Sequence, residues 1–143
     1  ESIEETEAVD LSSLSRACWR TVERDDAELA VDADGTIEAD ESRVRQLLEN
    51  VLRNAVQHGG DDVTITVGDL DDGFYVEDDG PGIPEEHRDA VFDSGFSTSA
   101  EGTGFGLSIV EQVVRAHGWE VDLVDGSDGG ARFEITGVTV VAD

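Results

Sequence analysis

Lysine and methionine are absent from this 143-residue chain, cysteine occurs once and proline twice. Without lysine, the common phosphate loop G-x-x-x-x-G-K-[ST] cannot be built. A dinucleotide fingerprint G-x-G-x-x-G is excluded too, because Leu107 stands where its third glycine belongs. The single Cys18 rules out an internal disulfide and a cysteine-rich metal site. It lies among Leu14, Ala17 and Val22 and reads as a small core residue. With no initiating methionine, the chain is expected to be a piece of a longer protein. No apolar run approaches the roughly 18 residues of a membrane span, and no signal-peptide pattern appears. Positive charge is scarce. The nine basic residues, all arginine, face 35 acids, for a net charge of -26. That balance argues against general binding to nucleic acid or anionic membranes. Self-repulsion of this size is tolerable in molar salt, where the Debye length falls to about 3 Å. A salt-loving source is therefore expected.

The length suits one domain, residues 1–143, able to bury about two thirds of its unfolded surface. Apolar residues at 11, 14, 18 and 22 predict a helix. "AELAVDADGTIEAD" reads as two short strands in a hairpin around Asp34 and Gly35. Asp40 can cap the next helix, although Arg43 stands where a capping box would place Glu. That helix carries one apolar stripe, Val44, Leu47, Leu48, Val51, Leu52 and Ala55, and Gly59-Gly60 ends it. "VTITV" and "FYVED" predict paired strands across the turn "DLDDG". The glycine-rich region 80–106 is long for a loop, with a short helix expected near 85–91. A helix over 106–117 stops at Gly118. "WEVDLVD" and "ARFEITGVTVV" read as two closing strands around "GSDGG".

Three constellations could carry chemistry. Asn50, Asn54 and Gln57 form a polar stripe along one edge of the apolar helix face. An amide oxygen there suits Mg²⁺, which keeps most of its waters and holds phosphates. The plainer alternative is a solvated edge. Asp78 ends an apolar strand beside Gly80-Pro81-Gly82, where a carboxylate could accept a hydrogen bond from an amine. The alternative is an ordinary acidic turn. Gly102, Gly104 and Gly106 lead into a helix whose first amides and dipole favour an anion such as phosphate. The alternative there is a flexible connector. Together, in this order, the three suit an adenine nucleotide with Mg²⁺.

In this arrangement "QLLENVLRNAVQHG" resembles the N box of sensor histidine kinases, and "VEDDGPGIP" their first glycine box. "VFDSGFSTS" resembles their F box, "EGTGFGLSIVEQVVRAHGWEV" their second glycine box, and "GGARFEI" their last strand. The resemblance spans about residues 40–136. It implies an α/β two-layer sandwich: a mixed β-sheet covered on one face by three helices, with a glycine-rich ATP lid. Asn54 would ligate Mg²⁺, with Asn50 beside it on phosphate or metal-bound water. Asp78 would accept the adenine amine, and Gly80, Gly82 and Ile83 would admit the base. Gly102, Thr103, Gly104, Phe105, Gly106 and Leu107 would close over the triphosphate as a mobile lid, with Phe92 and Phe96 anchoring it. Gln57 and His58 would border the nucleotide. Gln57 stands where the family usually has a basic residue, so one charge that would meet phosphate is missing.

The resemblance implies a catalytic domain that binds Mg-ATP and donates the γ-phosphoryl group to a His on a separate domain. The H-E-x-x-T/S-P pattern of that acceptor domain and its dimerising helices is absent from these residues. The implied partners are that His-bearing dimerisation domain of the same protein and a downstream response regulator. The implied location is cytoplasmic, without direct membrane contact. Three alternatives remain. A gyrase-like ATPase would need Glu one turn before the metal Asn, where this chain has Asn50, with Glu49 one residue off. A nucleotide-binding module without transfer is the second, and a serine kinase of the same fold the third.

Overall fold

A computed structural model describes residues 6–22, 27–33, 35–59, 62–80, 108–126 and 130–141. Eight strands and three helices alternate through them. In order they are β1 (Glu7–Asp10), α1 (Leu11–Val22), β2 (Glu28–Val31), β3 (Thr36–Ala39), α2 (Glu41–Gly59), β4 (Thr64–Leu70), β5 (Gly73–Asp78), α3 (Ser108–His117), β6 (Glu120–Asp125), β7 (Ala131–Thr136) and β8 (Val140–Val141).

The main sheet has the order β2-β4-β5-β7-β6. β2 runs parallel to β4, and the other pairings are antiparallel, so the sheet is mixed as expected. Its strands alternate in burial. Ile65, Val67, Phe74, Val76, Phe133 and Ile135 are buried, while Thr66, Tyr75, Glu77, Arg132 and Glu134 between them are half-buried. Among the described residues one face is therefore the covered one. The helices cover it: α1 touches β2, α2 touches β5, α3 touches β6, and α2 packs against both other helices. The stripe read from the sequence supplies this contact, with Val44, Leu47, Leu48 and Leu52 fully buried. Cys18 is buried with them, and burial pushes its thiol up to about 11. This is the α/β two-layer sandwich.

Helix ends follow local chemistry. The Asp10 carboxylate accepts from the Ser13 amide at 3.2 Å, and the Asp40 carboxylate from the Arg43 amide at 3.3 Å. Both are N-caps. At the end of α3, Gly118 takes a φ of 78°. Its amide donates to the Arg115 carbonyl and the Trp119 amide to that of Val114, at 3.1 and 2.8 Å. This is the Schellman arrangement that glycine at this position permits.

Three expectations need correction, and one strand was not expected. The strands around Asp34 and Gly35 exist but form no hairpin: β2 joins the main sheet, while β3 lies between β1 and β8 in a second, three-stranded sheet. Tertiary partners hold this crossing. The Gly35 carbonyl accepts from the Leu11 amide and its amide donates to Asp69, both at 3.3 Å. β1 was not foreseen; of its four residues only Val9 is buried. "ARFEITGVTVV" is two strands, because Gly137 turns the chain with a φ of 79° and sends β8 to the small sheet. β4 continues through Leu70, leaving the turn to Asp71 and Asp72. Gly73 must follow that turn, since a Cβ there would stand 1.8 Å from the Ile135 carbonyl oxygen. The helix expected near 85–91 lies outside the described residues.

Candidate functional site

Asp78 is the last residue of β5, at the end of a strand whose alternate side chains fill the core. Alternation therefore carries its carboxylate inward, and it is only 9% exposed. Its Oδ1 accepts from the Gly80 amide at 2.9 Å and from the Ala131 amide at 3.4 Å. Burial pushes the carboxyl above its ordinary range. The two amides oppose that shift, and the neighbouring Asp79 and Glu77 carboxylates add to it. The result is a buried acceptor held from one side by backbone.

The turn between β6 and β7 makes this possible, and the sequence reading did not foresee it. A Cβ on Gly130 would lie 2.0 Å from the Asp78 carbonyl oxygen and 2.5 Å from Oδ1. The Gly126 amide closes the turn on the Gly130 carbonyl at 2.6 Å. The signal was present in "GSDGG", but its glycines have no reason to meet Asp78 until strand order is known. Asp79 behaves differently. It is exposed, its Oδ1 accepts from the Thr64 amide at 2.8 Å, and its own amide donates to the Thr64 carbonyl at 3.2 Å. It finishes the β4–β5 ladder. Thr64, Thr66, Glu77, Asp78 and Asp79 line a small cleft at this end of the sheet.

α2 packs on β5 and carries the amide stripe. The structure separates its members. Asn54 is 5% exposed, and its Oδ1 is buried without a hydrogen-bond partner among the described residues. Leaving such an acceptor unmet costs about 1–3 kcal/mol. Asn50, one turn earlier, is half-buried, and its Nδ2 donates back to the Gln46 carbonyl at 2.9 Å. Gln57 and His58 lie in the last turn of α2, and their side chains are outside the description. Gly80 is described beside Asp78. Gly82, Ile83, Phe92, Phe96, Gly102, Thr103, Gly104, Phe105, Gly106 and Leu107 lie outside the described residues.

The orphaned Asn54 oxygen fits a hard cation that takes few protein ligands. Among the described residues no group of three or more His, Cys, Asp or Glu could hold a metal. A cation here would depend on an amide oxygen, water and the ligand's own phosphates, in keeping with the waters and phosphates that Mg²⁺ retains in nucleotide sites.

A mixed sheet under three helices makes an α/β sandwich, and it buries a carboxylate at a strand end and, on the covering helix, an amide oxygen that no described residue meets. Residues 39–138 match the family model described as histidine kinase-, DNA gyrase B-, and HSP90-like ATPase, and the chain belongs to this family. Similar solved structures include the mycobacterial sensor histidine kinase MprB, with TM-score 0.77 and 30% identity over 94% of this chain and 97% of that one. The catalytic domain of histidine kinase ThkA, nucleotide-free, matches with TM-score 0.75 and 29% identity over 92% of this chain and 94% of that one. Among curated relatives, sensor histidine kinase ZraS of Escherichia coli strain K12 is 34% identical over 90% of this chain and 30% of its own length. AfsQ2 of Streptomyces coelicolor is 35% identical over 89% of this chain and 25% of its own. The chain thus spans about a third or less of these curated relatives.

Proposed function

We propose that this domain binds Mg-ATP and donates the γ-phosphoryl group to a His on a separate domain of a two-component sensor kinase. The observation that carries the reading is Asp78, a buried carboxylate fixed through Oδ1, which leaves its second oxygen for the adenine amine. Asn54 would hold the cation through its unmet oxygen, with Asn50 beside it. Bound Mg²⁺ would neutralise charge on the phosphates. The remaining task of the protein is positioning, because phosphoryl transfer asks for little covalent chemistry from it. The glycine-rich segment 102–107 and the start of α3 would cradle the phosphates. ShkA, similar over 100% of this chain with TM-score 0.76, is described in complex with AMPPNP, which supports a nucleotide at this fold.

Transfer is favoured over hydrolysis by Asn50. An amide cannot act as a general base towards water. The neighbouring Glu49 points about 100° away around the helix. The acceptor would be the His-bearing dimerisation domain of the same protein, the next recipient a response regulator, and the location cytoplasmic. The test mixes this domain with a separately made His-bearing domain from the same gene and labelled ATP, in high salt. Acid-labile phosphate on the second domain is expected. Steady hydrolysis near about 1 per second without transfer, an ordinary enzymatic rate, would instead support the gyrase-like reading.

A further inference from the structure

The capping box that the sequence lacks at α2 is completed from another helix. In a capping box, the side chain at the third helical position accepts the backbone N–H of the cap residue. Arg43 stands there and has no acceptor to offer. The Asp40 amide instead donates to Nε2 of His117, at 3.0 Å. His117 is the last residue of α3, 77 positions away in sequence. Its other ring nitrogen, Nδ1, lies 2.8 Å from the Val113 carbonyl oxygen. A backbone amide only donates, so Nε2 must be the bare nitrogen and Nδ1 must carry the hydrogen. The ring stacks on the buried Trp119, centroids 4.0 Å apart and planes 22° off parallel. Three contacts therefore fix its position, its plane and its tautomer.

The junction lies where it can set the spacing of the nucleotide site. α2 and α3 pack together, and from this point α2 runs forwards and α3 backwards along the chain. From His117 back to Ser108 is about 14 Å of helix, and from Asp40 to Asn50 about 15 Å, at 1.5 Å per residue. The start of α3, which the functional reading gives to phosphate, is thus about as far from the junction as Asn50, with Asn54 one turn further along α2. We propose that His117 is a positioning residue: its Nε2 ties the end of α3 to the cap of α2 and so holds the phosphate-facing end of α3 in register with the Asn50–Asn54 turn. This rests on the nucleotide-binding reading above.

The test compares native protein with His117→Phe, which keeps a ring over Trp119 but no nitrogen, and His117→Gln, whose Oε1 can accept the Asp40 amide. Affinity for Mg²⁺ with a non-hydrolysable ATP analogue is measured by calorimetry, in salt at which circular dichroism shows all three folded. His117→Phe should bind up to about 12-fold more weakly, the range of one net hydrogen bond, and His117→Gln close to native. Equal affinity of the native and Phe forms, or a Gln form that binds as weakly as the Phe form, would overturn the proposal. A second readout needs no nucleotide: exchange of the Asp40 amide hydrogen should be slow in native and Gln forms and fast in Phe. If native protein binds no nucleotide, the functional reading fails. Amide exchange still decides the tie, and fast exchange in native protein refutes it.

Discussion

Asp78→Asn should make the empty protein more stable and the nucleotide complex weaker. Folding raises the Asp78 carboxyl above its ordinary range, chiefly by burial. The folded chain therefore binds this proton more tightly than the unfolded chain does. The stability linked to it is fully present below the unfolded-state value and is lost as pH rises through the folded-state value. At neutral pH the folded protein holds a buried charge that opposes folding. Asparagine has the same shape, and its Oδ1 can still accept from the Gly80 and Ala131 amides at 2.9 and 3.4 Å. The variant removes the charge and keeps the anchors, so its melting temperature at neutral pH should exceed that of native protein. The difference should shrink as pH falls and the native carboxyl takes up its proton.

Binding should move the other way. A hydrogen bond to a charged acceptor contributes about 1.5–3 kcal/mol, so losing it should weaken ATP binding by about 10- to 150-fold. Guanine presents a carbonyl oxygen where adenine presents its amine, and an amide can donate to that oxygen. The gap between ATP and GTP should therefore narrow. Asp79→Asn is the control. It is exposed and its Oδ1 contact to the Thr64 amide survives the change, so both stability and affinity should stay near native. Thermal melts at neutral and acid pH, with calorimetric titration of both nucleotides, test all of this. A variant that melts lower at neutral pH while binding ATP as native does would refute the account of Asp78. A larger ATP loss in Asp79→Asn would place the base contact one residue away.

Gly130→Ala should destabilise the empty protein and loosen ATP binding together, because its Cβ would meet the Asp78 carbonyl oxygen at 2.0 Å; native-like melting and affinity would count against the tight turn. Asn54→Leu removes an orphaned buried oxygen, so apo stability should hold or rise while the gain in ATP affinity on adding Mg²⁺ disappears; an unchanged Mg²⁺ effect in calorimetry would take the cation away from α2. With a net charge of -26, the chain should lose helix as salt is removed, read by circular dichroism between about 2 M and about 0.05 M, over which the screening length grows several-fold. A flat spectrum and a constant melting point would remove the argument for a salt-loving source.

What the sequence made legible was local. α2 was readable because its apolar stripe and Asp40 cap are properties of one helix, and Asp78 because a strand pattern runs into a turn. Pairing was less legible. Nothing within residues 27–40 says that β2 and β3 enter different sheets; that is decided by Leu11, Asp69 and the edges of β4 and β1. Gly137 was visible as a glycine, but its break in the last strand depends on β3 being available to pair with β8. Within the site, helical spacing put Asn50 and Asn54 on one stripe. Only packing separates a half-buried amide that bonds its own helix from a buried one that no described residue meets. Gly130 and His117 were out of reach for the same reason: each acts on a residue more than 50 positions away.

Asp78 and Asn54 share a condition that bears on why the fold keeps them. Both are polar side chains buried against the main sheet, and both oppose folding as they stand, one as a charge and one as an unmet acceptor. Core packing alone would favour apolar residues at both positions. A ligand with an amine for one and a cation for the other would remove both deficits at once, so binding energy and stability would be coupled through the same two groups. Ser15 on α1 also has a buried hydroxyl without a partner among the described residues, which nothing in the structure explains. It differs in scale, since a neutral hydroxyl costs less to bury than a carboxylate. The coupling predicts that, at one free nucleotide concentration, nucleotide stabilises native protein more than it stabilises Asp78→Asn, through the tighter binding that relief of the buried charge provides.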